Sequence, residues 1–333
     1  MTNVERFLAA LNGEKVDRLP VIEWAGWWNQ TLDRWYGEGL SREIPYDIIQ
    51  TRFQLDYMKR FWFHSTSKSA PQPVSNGAPL IVTDEDYENF KGHLYNLEDS
   101  RYQKQLEQLR AEVPLHDSGD NVIWFSFDGY FWYPRTLLGI ENHLFSFYDD
   151  PDLYHKICQD HTDFMLKQID QVFSILTPEF VVLSEDMSYN GGPMISEEHF
   201  DEFMLPYYNQ IIPKIKKYGV KVIIDSDGDI TKMIPWFIRA GIDGVLPLER
   251  QAGVDITALK KQYPDFIFIG GYDKMVMSKT EAEMRKEFER LLPAMKAGGV
   301  IPSCDHQTPP EVSLENYKIY LKLLKEFAQK ACK

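Results

Sequence analysis

Asp225, Asp227 and Asp229 occupy alternate positions in KVIIDSDGDI (221–230), directly after four residues that read as a buried strand. Carboxylates so spaced repel one another at neutral pH unless a cation, a proton or a hydrogen-bond-donating ligand offsets them. Other strand-like runs also end in ionisable groups. EFVVLSEDM (179–187) delivers Glu185 and Asp186, GVLPLE (244–249) delivers Glu249, and FIFIGGYD (266–273) delivers Asp273. GGVIPSCDH (298–306) ends in Cys304, Asp305 and His306, while Glu23 and Asp128 close two runs nearer the start. Any one of these fits a turn former or a helix cap, and Asp229 reads as the cap of a helix over 230–240. Their convergence is more informative, because capping alone would use Ser, Thr and Asn as readily and would rarely choose Glu. Two chemistries suit such a rim. One is a divalent metal, since zinc accepts carboxylate, imidazole and thiolate ligands. Strand alternation would place Cys304 and His306 on one face. The other is proton transfer between carboxyl groups whose pKa values are pushed apart. The plain alternatives are a small buried hydrophobe for Cys304 and a turn residue for His306. Cys158, in a helical stretch, and Cys332, in the tail, read as inert.

Positioning these groups falls to short apolar strands, each followed by a helix. In the second half, strand-then-helix units recur from 179 onward, with helices expected over 196–219, 230–240, 255–262, 279–297 and 313–329. Strands that are apolar throughout and alternate with amphipathic helices indicate a parallel sheet buried on both faces. The first half adds a helix over 3–12 and a strand in RLPVIEWAGWW. Further along come a loop over 67–79, a helix over 97–112, a strand in NVIWFSFD and a helix over 151–175. The expected architecture is α/β, a closed (β/α)8 TIM barrel forming a single domain over 1–333, with the polar residues on its C-terminal rim.

Bulk properties narrow the function. A net charge of −14 disfavours nucleic acid and anionic membranes, which favour basic surfaces. Three cysteines offer no disulfide framework. Residues 3–12 are amphipathic and charged, so no signal peptide is expected, and no apolar run of about 18 residues calls for a membrane span. A reducing cytoplasm is the expected setting. Aromatic residues make up 14% of the chain. Most belong in a core. The grouping of Trp24, Trp27 and Trp28, and of Trp124 and Tyr130 to Tyr133 around Trp132, exceeds what a core needs.

Three segments carry a resemblance. ERFLAALNGEKVDRLPV at the start, MISEEHFDEFMLPYYNQIIPKIKKYGVKVIIDSDGD in the middle and GGVIPSCDHQTPPEVSLENYKIYLKLL at the end resemble the uroporphyrinogen decarboxylase superfamily, in order and over nearly the whole chain. That superfamily implies a (β/α)8 barrel. Its true decarboxylases use an arginine-rich segment near the start to bind a carboxylate-rich tetrapyrrole, without a cofactor. Here PVIEWAGWWNQTLDRWYG stands there, with Glu23 and tryptophans where paired arginines belong. The second branch, the cobamide-dependent methyltransferases, moves methyl groups to or from a corrinoid protein and holds zinc in a His-x-Cys pair, a Glu and a last Cys. Asp225 and Asp227 fall on the His-x-Cys positions, Glu249 on the Glu and Cys304 on the Cys. The resemblance thus implies a divalent metal, zinc by family type, on Asp225, Asp227, Glu249 and Cys304, with His306 or Glu185 as the acid. Trp24, Trp27, Trp28, Trp132 and Asp186 would line the substrate site. The corrinoid would come on a partner protein. Because two soft ligands are replaced by aspartate, an O-methyl or N-methyl substrate fits better than a thiol. A metal-independent decarboxylase and a non-catalytic ligand-binding barrel are the alternatives.

Overall fold

Seven parallel strands run in simple sequence order across one sheet of the computed structural model, which describes residues 1–333 apart from the side chain of Asp47. The strands are β1 (Met58–Phe63), β2 (Val122–Asp128), β3 (Phe180–Ser184), β6 (Lys221–Asp225), β7 (Gly244–Leu246), β8 (Ile267–Tyr272) and β9 (Val300–Cys304). Between β3 and β6, a two-stranded antiparallel ribbon pairs β4 (Ser188–Tyr189) with β5 (Gly192–Pro193). Every residue of β2, β3, β8 and β9 is buried. A parallel sheet must be covered on both faces, because its crossover helices pack against it. One contiguous apolar cluster extends from Phe7 to Ala328.

The architecture agrees with the expected α/β class, as a curled parallel sheet flanked by helices. An eighth strand does not form in PVIEW, because side chains occupy its amides. Val21 N–H donates to Asp56 Oδ2 at 2.9 Å, and Trp24 N–H reaches Ser303 Oγ at 3.4 Å. Backbone pairing is confined to Asp56 N–H with the Val21 carbonyl and a single parallel bridge between Trp27 and Thr308. Residues 20–28 therefore meet the segment leading into β1 at Asp56 and the end of β9 at Ser303 without making a ladder with either strand.

Several helices lie where the periodicity puts them. Ser196, Asp255, Thr280 and Ser313 accept from amides of the turns they cap. The helix over 196–219 divides at Met204 into Glu197–Phe203 and Leu205–Lys216, just ahead of Pro206. The expected helix at 230–240 is shorter, Ile234–Arg239. Asp229 does not cap it; its Oδ1 accepts from Thr231 N–H at 3.0 Å in a local turn. Among the described residues, no helix is long and apolar enough to cross a membrane.

Candidate active site

The last residue of β6, Asp225, anchors the site. Its main-chain carbonyl accepts from Glu185 and Asp186 N–H at 2.9 and 3.2 Å, which ties the end of β3 to the end of β6. Asp186 has φ +47°, a left-handed conformation that aspartate tolerates better than most residues. Asp227 N–H points to Asp186 Oδ1 at 3.4 Å. One carboxyl oxygen from each of Asp186, Asp225 and Asp227 falls within 4.8 Å of the others. Among the described residues, no hydrogen bond reaches the Asp225 carboxyl. Burial, then Asp186, then Asp227, push its pKa well above the ordinary carboxylate range. Asp186 is raised too, by burial and then by Asp227. His306 Nε2 lies 3.6 Å from Asp227 Oδ2, and that contact raises the imidazole pKa. The arrangement is a carboxyl whose protonated form is favoured, beside two others and a histidine whose charged form is favoured.

Asp225 and His306 look into a cavity of about 430 Å³. Trp24, Trp27, Tyr46 and Trp124 supply aromatic wall, and Arg60 projects into it from β1. Trp24 is held in place by its indole N–H, which donates to the Cys304 carbonyl at 2.9 Å, and it meets His306 edge-on. Its volume suits a small molecule.

The residues expected to share one metal do not all come together. Cys304 is the last residue of β9 and its side chain faces the helices, with Sγ 3.6 Å from Met277 Sδ. Burial, ahead of Glu23 and Asp305, raises that thiol well above its ordinary pKa. His306 lies past the strand end, where alternation no longer applies, so it turns toward the cavity while Cys304 does not. Glu249 is taken up by Lys274 Nζ at 2.7 Å and by Gly228 N–H at 3.1 Å. A thiolate-containing zinc site on Asp225, Asp227, Glu249 and Cys304 therefore does not fit. The set that does converge, Asp186, Asp225 and Asp227, is all oxygen and suits a hard cation.

Glu185 is also placed away from the cavity. It is 1% exposed, and its oxygens accept from Tyr130, Phe131 and Trp132 N–H at 2.7, 2.6 and 3.2 Å and from the Tyr208 hydroxyl. It thereby binds the start of the helix Trp132–Leu138, and burial pushes its pKa up to about 7 against those donors. Trp27 touches the cavity but packs mainly among Trp35, Phe53 and Tyr317. Trp28 is 42% exposed and lies outside the cavity. Trp132 lines a neighbouring cleft with His64, Asp128 and Arg135.

Arg60 and His64 were not singled out in the sequence. His64 Nδ1 lies 3.3 Å from Asp128 Oδ2, and the Trp62 indole N–H donates to Asp128 Oδ1 at 2.9 Å. The available signal was alternation: Arg60, Trp62 and His64 stand two apart in MKRFWFH and so project from one face.

The model of the family described as uroporphyrinogen decarboxylase (URO-D) matches residues 135–327, and the chain belongs to that family. No curated protein matches the chain. Among solved structures, a candidate vitamin-B12-independent methionine synthase from Listeria monocytogenes is similar at 12% identity and TM-score 0.49, over 95% of this chain and 98% of that one. The YdhT protein from Bacillus subtilis gives 10% identity and TM-score 0.48, over 95% and 89%. A mannanase from Bacillus subtilis gives 10% and 0.47, again over 95% and 89%. These likenesses are too loose to bear on function.

Proposed function

We propose that the chain is a cytoplasmic, single-domain barrel enzyme that removes a methyl group from oxygen or nitrogen of a small substrate. The observation that carries this reading is Asp225, a carboxyl that lines an aromatic-walled cavity and is crowded by Asp186 and Asp227, so that its protonated form is favoured. A reduced corrinoid, brought by a separate protein, would supply the methyl acceptor. The cavity volume of about 430 Å³ supports this division, because it suits the small substrate alone. Asp225 gives its proton to the departing heteroatom, which keeps the electron pair of the broken bond to the methyl carbon. His306, which lines the same cavity and lies beside Asp227, would return the proton. Trp24 and Trp124 hold the substrate's apolar body and exclude water.

The experiment is methyl transfer from a panel of methyl ethers and methylamines to a reduced corrinoid protein, followed by absorbance. Asp225→Asn is expected to lower the rate by roughly 10²–10⁴. Wild-type activity is expected to fall as pH rises and Asp225 loses its proton. Absence of transfer by the wild type, or an unaffected Asp225→Asn, overturns the reading. Asp186, Asp225 and Asp227 are the residues that would hold a divalent cation. Activity lost to a chelator and restored by added metal assigns the role of the proton to that cation.

Arg60 favours a second reading, a metal-independent decarboxylase, because a guanidinium in the cavity suits a substrate carboxylate. Release of carbon dioxide without corrinoid would distinguish it. A purely ligand-binding barrel would bind and do neither.

A further inference from the structure

Arg60 occupies an inward position on β1, where its guanidinium stands 4.8 Å from the Trp62 ring centroid and 5.3 Å from that of Trp124. Arg60 is exposed, with the cavity it lines on its open side. Among the described residues, it makes no hydrogen bond and no ion pair. Asp225 is the acid whose charge acts on it, and among the described residues the two form no salt bridge. The adjacent Lys59 is already matched with Glu112 at 2.6 Å. On the same inner face, the buried hydroxyls of Ser126 and Ser184 also lack partners among the described residues. A guanidinium carries five N–H donors in a planar fork, so an unpaired one set against two indole rings at a cavity wall is free to take up a planar anion.

We propose that Arg60 receives a carboxylate of the substrate, so that the substrate is a small, planar, aromatic monocarboxylate whose reacting group lies beside Asp225 and His306, which line the same cavity. This rests on the reading above for which group reacts, but not for whether the anion binds. A carboxylate matches the fork in two parallel hydrogen bonds. An aromatic ring attached to it fits between indole faces. A phosphate dianion would need further donors, and the cavity offers no second unpaired cation among the described residues while carrying the carboxyls of Glu23 and Asp225.

The test is calorimetric binding to the purified chain, without corrinoid, of 4-methoxybenzoate, 4-methoxybenzamide and inorganic phosphate. The benzoate is expected to bind at least ~10-fold tighter than the amide, the scale of one charge-assisted pair, and phosphate not to bind. In Arg60→Gln, with folding checked by circular dichroism, the preference is expected to fall below about threefold. Equal binding of benzoate and amide by the wild type overturns the proposal without any variant. So does absence of benzoate binding, a preference that survives in Arg60→Gln, or tighter binding of phosphate. Carboxylate preference without methyl transfer leaves this inference standing and removes the methyltransferase reading alone.

Discussion

The thiol of Cys304 is surrounded by Met277 and by the rings of Tyr317 and Tyr320, whose own pKa values it helps to raise. Such a place asks for a small apolar group, and a free cysteine serves as one. Cys304→Ala is therefore expected to cost about 1 kcal/mol in denaturant unfolding, with divalent-cation binding unchanged. Asp227→Asn, by contrast, is expected to abolish any such binding, as calorimetry with manganese would measure. Loss of cation binding in Cys304→Ala would return the thiol to the site. Asp225 differs because burial and two acidic neighbours act in the same direction, and only Arg60 opposes them. Residue type alone flagged both positions. Only their surroundings separate a packing role from a chemical one.

At the scale of elements, Glu185 joins the end of β3 to the helix Trp132–Leu138. Four donors converge on its two oxygens, and Gly129 gives them room, since a Cβ there would lie 2.0 Å from Glu185 Cδ. Glu185→Gln would turn one acceptor into a donor facing donors. The expected loss of stability is about 1–3 kcal/mol, read from urea unfolding. A wild-type-like midpoint would reject the structural role. The loop after β6 has a similar constraint at Gly228, which has φ +83° and approaches the Tyr189 backbone so closely that a Cβ would lie 2.6 Å from it. Gly228 N–H donates to Glu249, so Glu249 supports the loop that carries Asp227. Gly228→Ala is expected to destabilise the fold by about 1–3 kcal/mol and to weaken catalysis through displacement of Asp227.

Across the whole molecule, buried carboxyls set the response to pH. Burial pushes Glu23 and Glu185 up to about 7 and Asp305 up to about 6. Unfolded, these groups titrate near 4. Their contribution to stability is fully present below that point and is lost as pH rises through 6 and 7. Asp17 works in the opposite sense: Arg6 holds it well below the ordinary range, so its contribution is lost as the solution is acidified below about 4. Thermal unfolding is expected to show highest stability near pH 5, declining toward pH 8. Glu23→Gln is expected to flatten that decline, by roughly 2–4 kcal/mol at the alkaline end. A wild type more stable at pH 8 than at pH 5 would contradict it.

The parallel sheet, its helices and the gathering of acids on one rim were legible in the sequence, because strand length, apolar runs and capping residues are local properties. The segment PVIEW reads as a strand for the same reason. It fails to form one because Asp56 and Ser303, distant in sequence, engage its amides. The (58–63) strand was hidden because its alternation carries Arg60 and Trp62 inward, where a polar residue reads as a surface one. Which carboxyls meet was decided only in three dimensions. Asp186 joined Asp225 and Asp227 through a left-handed turn, while Glu249 went to Lys274 and Cys304 to the helices. The sequence by itself determined that charge collects where the strands end; the tertiary structure decided which charges share a proton or a cation, because that depends on distances and burial that no local pattern encodes.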